Sequence, residues 1–278
     1  MKFRLTAFGL HLLGSASALA LILGGLWLGW YRWPAWYLTG VVHVVAILAL
    51  VDLALGPTLT AIVASPTKPR RELARDIGVI VTVQLLALGY GAVTLWLGRP
   101  LYYTFSVDRL QMVQASDVST AEGARGRAQN PALAAHWYSR PQWVWAPLPA
   151  DPAEAVRIAQ ASIMGGPDVI DMPRYFKPWS EALPELRPRL RTLDKIRELD
   201  RHERALLGAC MQSRGLAPDA ANAMLLWSAD RRVLVVFDPA TLAIRDILTP
   251  DCSTPFRRRI QPQLAGASTP SHFAKNAH

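Results

Sequence analysis

Apolar positions crowd the first hundred residues in three long runs, and polar positions return in ordinary proportion only after them. The second run, 33–66, has no Lys or Arg and a single carboxylate, Asp52. A helix needs about 20 apolar residues to cross the hydrocarbon core of a bilayer, so this run can cross with some tilt. Comparable runs precede and follow it, and the pattern predicts three transmembrane helices at about 5–31, 36–63 and 77–98. The first run stands behind Lys2 and Arg4 and carries small residues at 15–18. It outlasts the roughly 7–15 apolar residues of a secretory h-region, so it reads as an uncleaved signal-anchor. Trp27, Trp30, Tyr31, Trp33, Trp36 and Tyr37 gather where the first two helices turn. That is the place of an interfacial aromatic belt; a docking surface is the other reading.

Beyond Arg99 the periodicity changes. Aromatic and β-branched residues over 101–113 read as a strand. Residues 117–129 are polar, Ala-rich and weakly helical, and Gln142-Trp143-Val144-Trp145 reads as a short strand. Asp151 as N-cap and Pro152 at the first helical position begin a helix that ends at Gly165-Gly166. Five prolines over 167–188 predict an extended surface segment. Leu190, Leu193, Ile196, Leu199, Leu206, Leu207, Cys210 and Met211 recur at three- and four-residue steps. They predict one long amphipathic helix over 190–214, with Asp200 and Arg204 paired on its outer face and Gly215 closing it. Strands over 224–228, 233–237 and 242–247, with turns at 230–232 and 238–241, predict a meander. Past Phe256 the chain is basic and then rich in Ser, Pro, Ala and His, which predicts a disordered tail. The expected fold is therefore a membrane domain of three transmembrane helices over 1–99 and a periplasmic α+β domain over 100–256. That domain ends in an antiparallel meander, and a basic tail follows over 257–278.

The formal net charge of +9 is unevenly placed. Residues 1–100 carry eight Lys/Arg against three Asp/Glu, residues 101–256 are balanced, and the remaining positive charge follows Phe256. No concentrated basic face of the kind that binds nucleic acid is implied. The N-terminus and the 65–75 loop are basic, and short basic loops stay cytoplasmic. The expected placement is the bacterial inner membrane, with the N-terminus cytoplasmic and everything after Arg99 periplasmic. The cytoplasm then sees a short segment and one loop, with no room for an ATPase, kinase or output module.

Polar groups inside the apolar runs are His11, His43, Asp52 and Gln84. An ionisable group at the centre of a membrane helix costs about 2.5–3.5 kcal/mol on insertion scales, so Asp52 asks for a role. Gly56-Pro57, a helix breaker, follows it closely. His43 and Asp52 lie on opposite faces of a straight helix, about 13 Å apart along its axis, and form no dyad. The first reading of Asp52 is an interhelical hydrogen bond that fixes the bundle. A partner-facing contact comes second, and a role with His43 in a small membrane transporter or enzyme comes third. No G-x-S-x-G, C-x-x-C, H-E-x-x-H or phosphate-cradling glycine loop occurs. The six histidines lack metal-ligand spacing, and Asp168 and Asp171 read as a solvated pair. No catalytic residue, metal or cofactor is expected. Cys210 and Cys252, the only cysteines, both fall in the part placed outside. In an oxidising compartment they favour a structural disulfide, worth about 4 kcal/mol by chain-entropy estimates for its loop. The other reading of Cys210 is a buried thiol on the helix stripe.

Several phrases resemble the type IV pilin accessory proteins of the TfpZ, TfpX and FimB kind. They are Thr39-Gly40-Val41-Val42-His43, the Val51-Asp52 to Gly56-Pro57 stretch, and Gly98-Arg99-Pro100 leading to Phe105 and Val107-Asp108-Arg109. The order continues with Val113, Ala115, Asp117-Val118, Trp143 in its Pro-flanked strand, and Arg174-Tyr175 through Pro178. The resemblance covers about residues 1–250 and implies an inner-membrane, chaperone-like helper for pilus assembly. Such a helper assists a particular type IV pilin, and possible other pilus-assembly proteins, through contacts rather than chemical turnover. It offers no catalytic residues to transfer. On that reading Asp52 and the expected break at Gly56-Pro57 belong to the contact with the pilin stem, and the outer domain sets pilin specificity.

Overall fold

The computed structural model describes residues 1–229 and 231–253. The tail expected over 257–278, and Asp230 of the expected turn, lie outside the described residues. Three stretches of helix are long and apolar enough to cross a membrane. The first is α1, Lys2–Gly29. A one-turn α2, Ala35–Leu38, follows in the connection. The second is α3, Val41–Ala49, running through a π-helical turn, Leu50–Leu55, into α4, Gly56–Val63. The third is α5, Arg70–Leu97. The second stretch starts five residues later than its periodicity predicts. Gly40 takes a left-handed φ of 64° there and separates α2 from α3, a conformation that glycine adopts without steric cost. The third begins seven residues earlier, because the basic residues before the apolar run are helical too.

The chain then builds a seven-stranded sheet in the order β4-β3-β1-β2-β5-β6-β7. Residues 101–113, expected as one strand, form a hairpin of β1, Pro100–Ser106, and β2, Arg109–Gln114. It turns at Val107-Asp108, where Val107 has φ 52°. The two turn residues interrupt a run whose composition is strand-like on both sides, so composition alone hides the reversal. After α6, Thr120–Gln129, strand β3, Gln142–Trp145, pairs parallel to β1. Helix α7, Pro152–Ile163, starts where expected, the Asp151 carboxylate accepting from the Ala153 N–H. β4, Lys177–Pro178, is the short edge.

The Pro-rich segment is not a surface strap. It folds into 3₁₀ turns and one α-turn, α8, Leu183–Leu186, that bury Val169, Ile170, Phe176, Trp179 and Leu186. Pro173, Pro184 and Pro188 stand at the first turns of these short helices, where no N–H is required. The amphipathic stripe over 190–214 divides as well. Leu190, Leu193, Ile196 and Leu199 are buried on irregular chain and a short 3₁₀ turn, Leu193–Lys195, and the helix α9 spans Arg201–Ser213. Asp200 and Glu203 form a reciprocal capping box that starts it, satisfying two otherwise orphan N–H groups. Arg204 therefore does not pair with Asp200; its guanidinium donates to the carbonyls of Ile196 and Leu199. Gly215, at φ 68°, closes α9 as its position predicts.

Strands β5, Ala223–Trp227, β6, Arg232–Phe237, and β7, Ile244–Leu248, form the antiparallel meander. One face of the sheet packs on Trp179, Leu186 and Leu190, and Tyr103, Phe105, Leu226 and Phe237 lie in that core. The turn between the first two long helices joins it: Leu38 is buried there, with Trp33 and Tyr37 against it. The aromatic cluster thus bridges two layers. Trp33 and Tyr37 meet the sheet, while Trp30 and Trp36 pack among the long helices.

Candidate functional site

The geometry at Asp52 begins with Pro57. A proline inside a helix lacks an N–H, and its ring collides with the carbonyl four residues earlier. The chain accommodates Pro57 by widening Leu50–Leu55 into a π turn and continuing as α4, so the helix is not broken at Gly56-Pro57. Such turns re-aim side chains and recur at functional sites. Here the turn holds Asp52 buried, at 4% exposure.

Asp52 meets α5. The side-chain amide of Gln84 donates towards Asp52 Oδ1 and the Asp52 carbonyl, both at 3.4 Å. Gln84 Oε1 faces His11 Nε2 on α1 at 2.6 Å, and His11 Nδ1 faces the Thr60 hydroxyl at 2.6 Å. A carboxylate only accepts, so the Gln84 amide donates to Asp52 and its Oε1 accepts from His11 Nε2. Gly56 makes the approach possible, since a Cβ there would stand 2.0 Å from Gln84 Nε2. Four side chains from all three long helices are thereby linked. Asp52 Oδ1 is engaged, whereas Oδ2 has no hydrogen-bond partner among the described residues.

His43 is elsewhere. It is exposed on α3, and its Nδ1 lies 3.3 Å from the Gly40 carbonyl. Of the expected intramembrane contact residues, Asp52, Gly56 and Pro57 come together and His43 does not. His11 and Gln84 stand out in the sequence as polar residues in apolar runs, but their pairing crosses helices and leaves no mark in spacing. Thr60 gives no signal, because threonine is common in such helices.

A groove of about 610 Å³ opens beside this cluster, between α1 and α5, with Asp52, Thr60 and Gln84 at its floor. At the opposite end the same helices converge: Trp30 and Trp96 meet edge to face at 5.2 Å, and the Tyr31 hydroxyl donates to the Leu95 carbonyl.

In the sheet region, Asp168 and Asp171 are not a solvated pair. They cap a 3₁₀ turn reciprocally, and Asp168 also pairs with Arg109. Burial pushes the Asp171 carboxyl up to about 6; Asp117 and Asp168 add to the rise, while the Asp168 N–H and Arg109 oppose it. Arg174 holds α6 to α7, reaching Glu122 at 2.9 Å and Glu154 at 3.6 Å. Phe176 beside it packs edge to face on Tyr102 at 4.9 Å. This motif is thus built into the packing. Cys210 and Cys252 are joined, their Cα atoms 6.1 Å apart across 42 residues of sequence. Among the described residues no three His, Cys, Asp or Glu side chains gather to hold a metal.

The class defined by these features is a bundle of three long apolar helices, tied by buried polar bonds and carrying a mixed-sheet domain. No family model matches the chain, and no solved structure matches it. Three proteins of Dichelobacter nodosus do. Over 110 residues, 40% of this chain, it is 30% identical to a fimbrial assembly protein of serogroups C1 and C2, covering 84% of that protein. It is 31% identical to the serogroup I protein and 28% identical to the serogroup E1 protein over the same length. The match spans 43% of each of those two, less than half their length. The chain belongs to this family of fimbrial assembly proteins.

Proposed function

We propose that this chain is an inner-membrane accessory protein that assists the assembly or stability of one type IV pilin through non-catalytic contacts. The observation that carries the reading is the likeness to fimbrial assembly proteins. The architecture supports it. A pilin held in the inner membrane presents an apolar stem and an external head, and a helper needs apolar helices beside the stem and a folded domain beside the head. The three long helices supply the first, and the sheet region supplies the second. Basic residues at the N-terminus and over 65–75 favour a cytoplasmic N-terminus and a periplasmic sheet domain. Nothing in the geometry favours the transporter or enzyme reading, which needs His43 near Asp52.

The test is deletion of the gene, followed by measurement of pilin level and surface pili, with cognate and unrelated pilins each supplied. Loss of surface pili restricted to the cognate pilin, and restored by this chain, is the expected outcome. Normal piliation in the deletion strain refutes the reading.

A further inference from the structure

The groove beside Asp52 has the shape of a seat for another helix. Both flanking helices rest on the second long stretch. They meet at the Trp30–Trp96 end and again through His11 and Gln84, and the groove opens between them towards the N-terminus of α1. The α1 wall runs from Phe3 to Ala18, which at 1.5 Å per residue is about 22 Å, or four helical turns. Small residues, Ala7, Gly14 and Ala18, recur along that wall. Gly14 has open space where a Cβ would stand, so no contact inside this chain explains its size. The facing wall is apolar, with Val81, Leu85 and Leu88. Small residues at such spacing let two helix backbones approach closely in a bilayer.

The floor decides the occupant. Asp52 borders the groove, and its Oδ2 lacks a partner among the described residues although Oδ1 is held by Gln84. A lipid chain filling the groove leaves that oxygen bare in an apolar medium, which is costly. A helix presenting one hydrogen-bond donor at that depth satisfies it and covers both walls. We infer that the groove between α1 and α5 seats an apolar transmembrane helix of the partner pilin, with Asp52 Oδ2 accepting from a donor on it. This rests on the accessory-protein reading and locates the stem contact within it. Asp52 is midway along Val41–Val63, and the groove extends from there towards the N-terminal end of α1. The contact therefore lies in the half of the bilayer nearer the chain's N-terminus.

The test uses the full chain in its own membrane with the pilin present. A photo-crosslinking amino acid placed at Leu85 or Ala18 captures the pilin, and one placed at Ile47, exposed and outside the groove, does not. Gly14→Leu fills the groove and lowers pilin capture and co-purification at least about tenfold, the scale of one lost charge-assisted contact. Gly9→Leu, exposed on another face of α1, leaves both unchanged. Asp52→Leu lowers capture as Gly14→Leu does. Capture at Leu85 of lipid alone, or of a second copy of this chain, overturns the inference. So does undiminished pilin capture in Gly14→Leu. Should Gly14→Leu fail to accumulate, the Leu85 and Ile47 probes in the otherwise unaltered chain decide by themselves. The accessory reading fails separately: it falls if deleting the gene leaves pili normal, and it stands if deletion removes pili while groove variants have no effect.

Discussion

At the scale of single residues, the sheet region carries a carboxylate whose burial makes stability depend on pH. Asp171 titrates at about 6 in the folded chain, raised from an ordinary 3.8 by loss of solvent. A raised carboxyl means that the folded state binds the proton more tightly than the unfolded state does. Its favourable contribution is complete below about 4 and is lost as pH rises through about 6. Asp171→Asn keeps an oxygen that can accept from the Asp168 N–H and removes the ionisation. The variant should lack this decline in melting temperature between pH 4 and 7, and at pH 8 it should be at least as stable as the parent chain. Thermal unfolding of the purified protein across that range checks both statements. A parallel decline in the variant would place the pH dependence on other groups.

At the scale of elements, the bond between Cys210 on α9 and Cys252 after β7 fastens the last helix to the end of the meander. We propose that it is a structural disulfide. Cys210→Ser or Cys252→Ser should each cost about 2–4 kcal/mol, with the double variant no worse than either single one. Denaturant unfolding with and without reductant measures this, since reductant should destabilise the parent chain and leave the variants unmoved. Legibility from sequence also divides at this scale. Helices with chemical boundary marks, such as Asp151-Pro152 and Gly215, start or stop where those marks predict. The stripe over 190–214 misled because burial on irregular chain has no period of its own: Leu190 to Leu199 are buried as helical residues would be, yet Asp200 and Glu203 cap the helix only after them. The polar cluster was half visible. Asp52, Gly56 and Pro57 announce a special turn, but the partners His11 and Gln84 belong to other stretches, and only packing decides which helices become neighbours.

At the scale of the whole molecule, the long helices and the sheet share a junction that must hold in any working orientation. Leu38 is 2% exposed and sits in the sheet's core, while Arg231 lies over the Tyr37 ring at 5.2 Å. On the other side, Arg99 stacks over Trp96 at 3.9 Å just before β1 begins. The connection between the first two long helices is therefore part of the sheet domain's packing. Leu38→Ala should remove about 2–5 kcal/mol from that packing, as core leucine truncations do. The exposed Val42→Ala should have little effect, as surface changes usually stay within about 0.5 kcal/mol. The same junction constrains topology. Because the turn at 31–40 and the sheet pack together, a bilayer crossed by the three long helices would have both on one side and the basic N-terminus and 65–75 loop on the other. Basic short loops remain cytoplasmic, so the sheet region should be periplasmic. Reporter fusions at residue 150 should be active only with a periplasmic reporter, and fusions at residue 67 only with a cytoplasmic one. A cytoplasmic signal at 150 would place the head away from any external pilin domain. It would also leave Cys210 and Cys252 in a reducing compartment, where such a bond is rarely maintained.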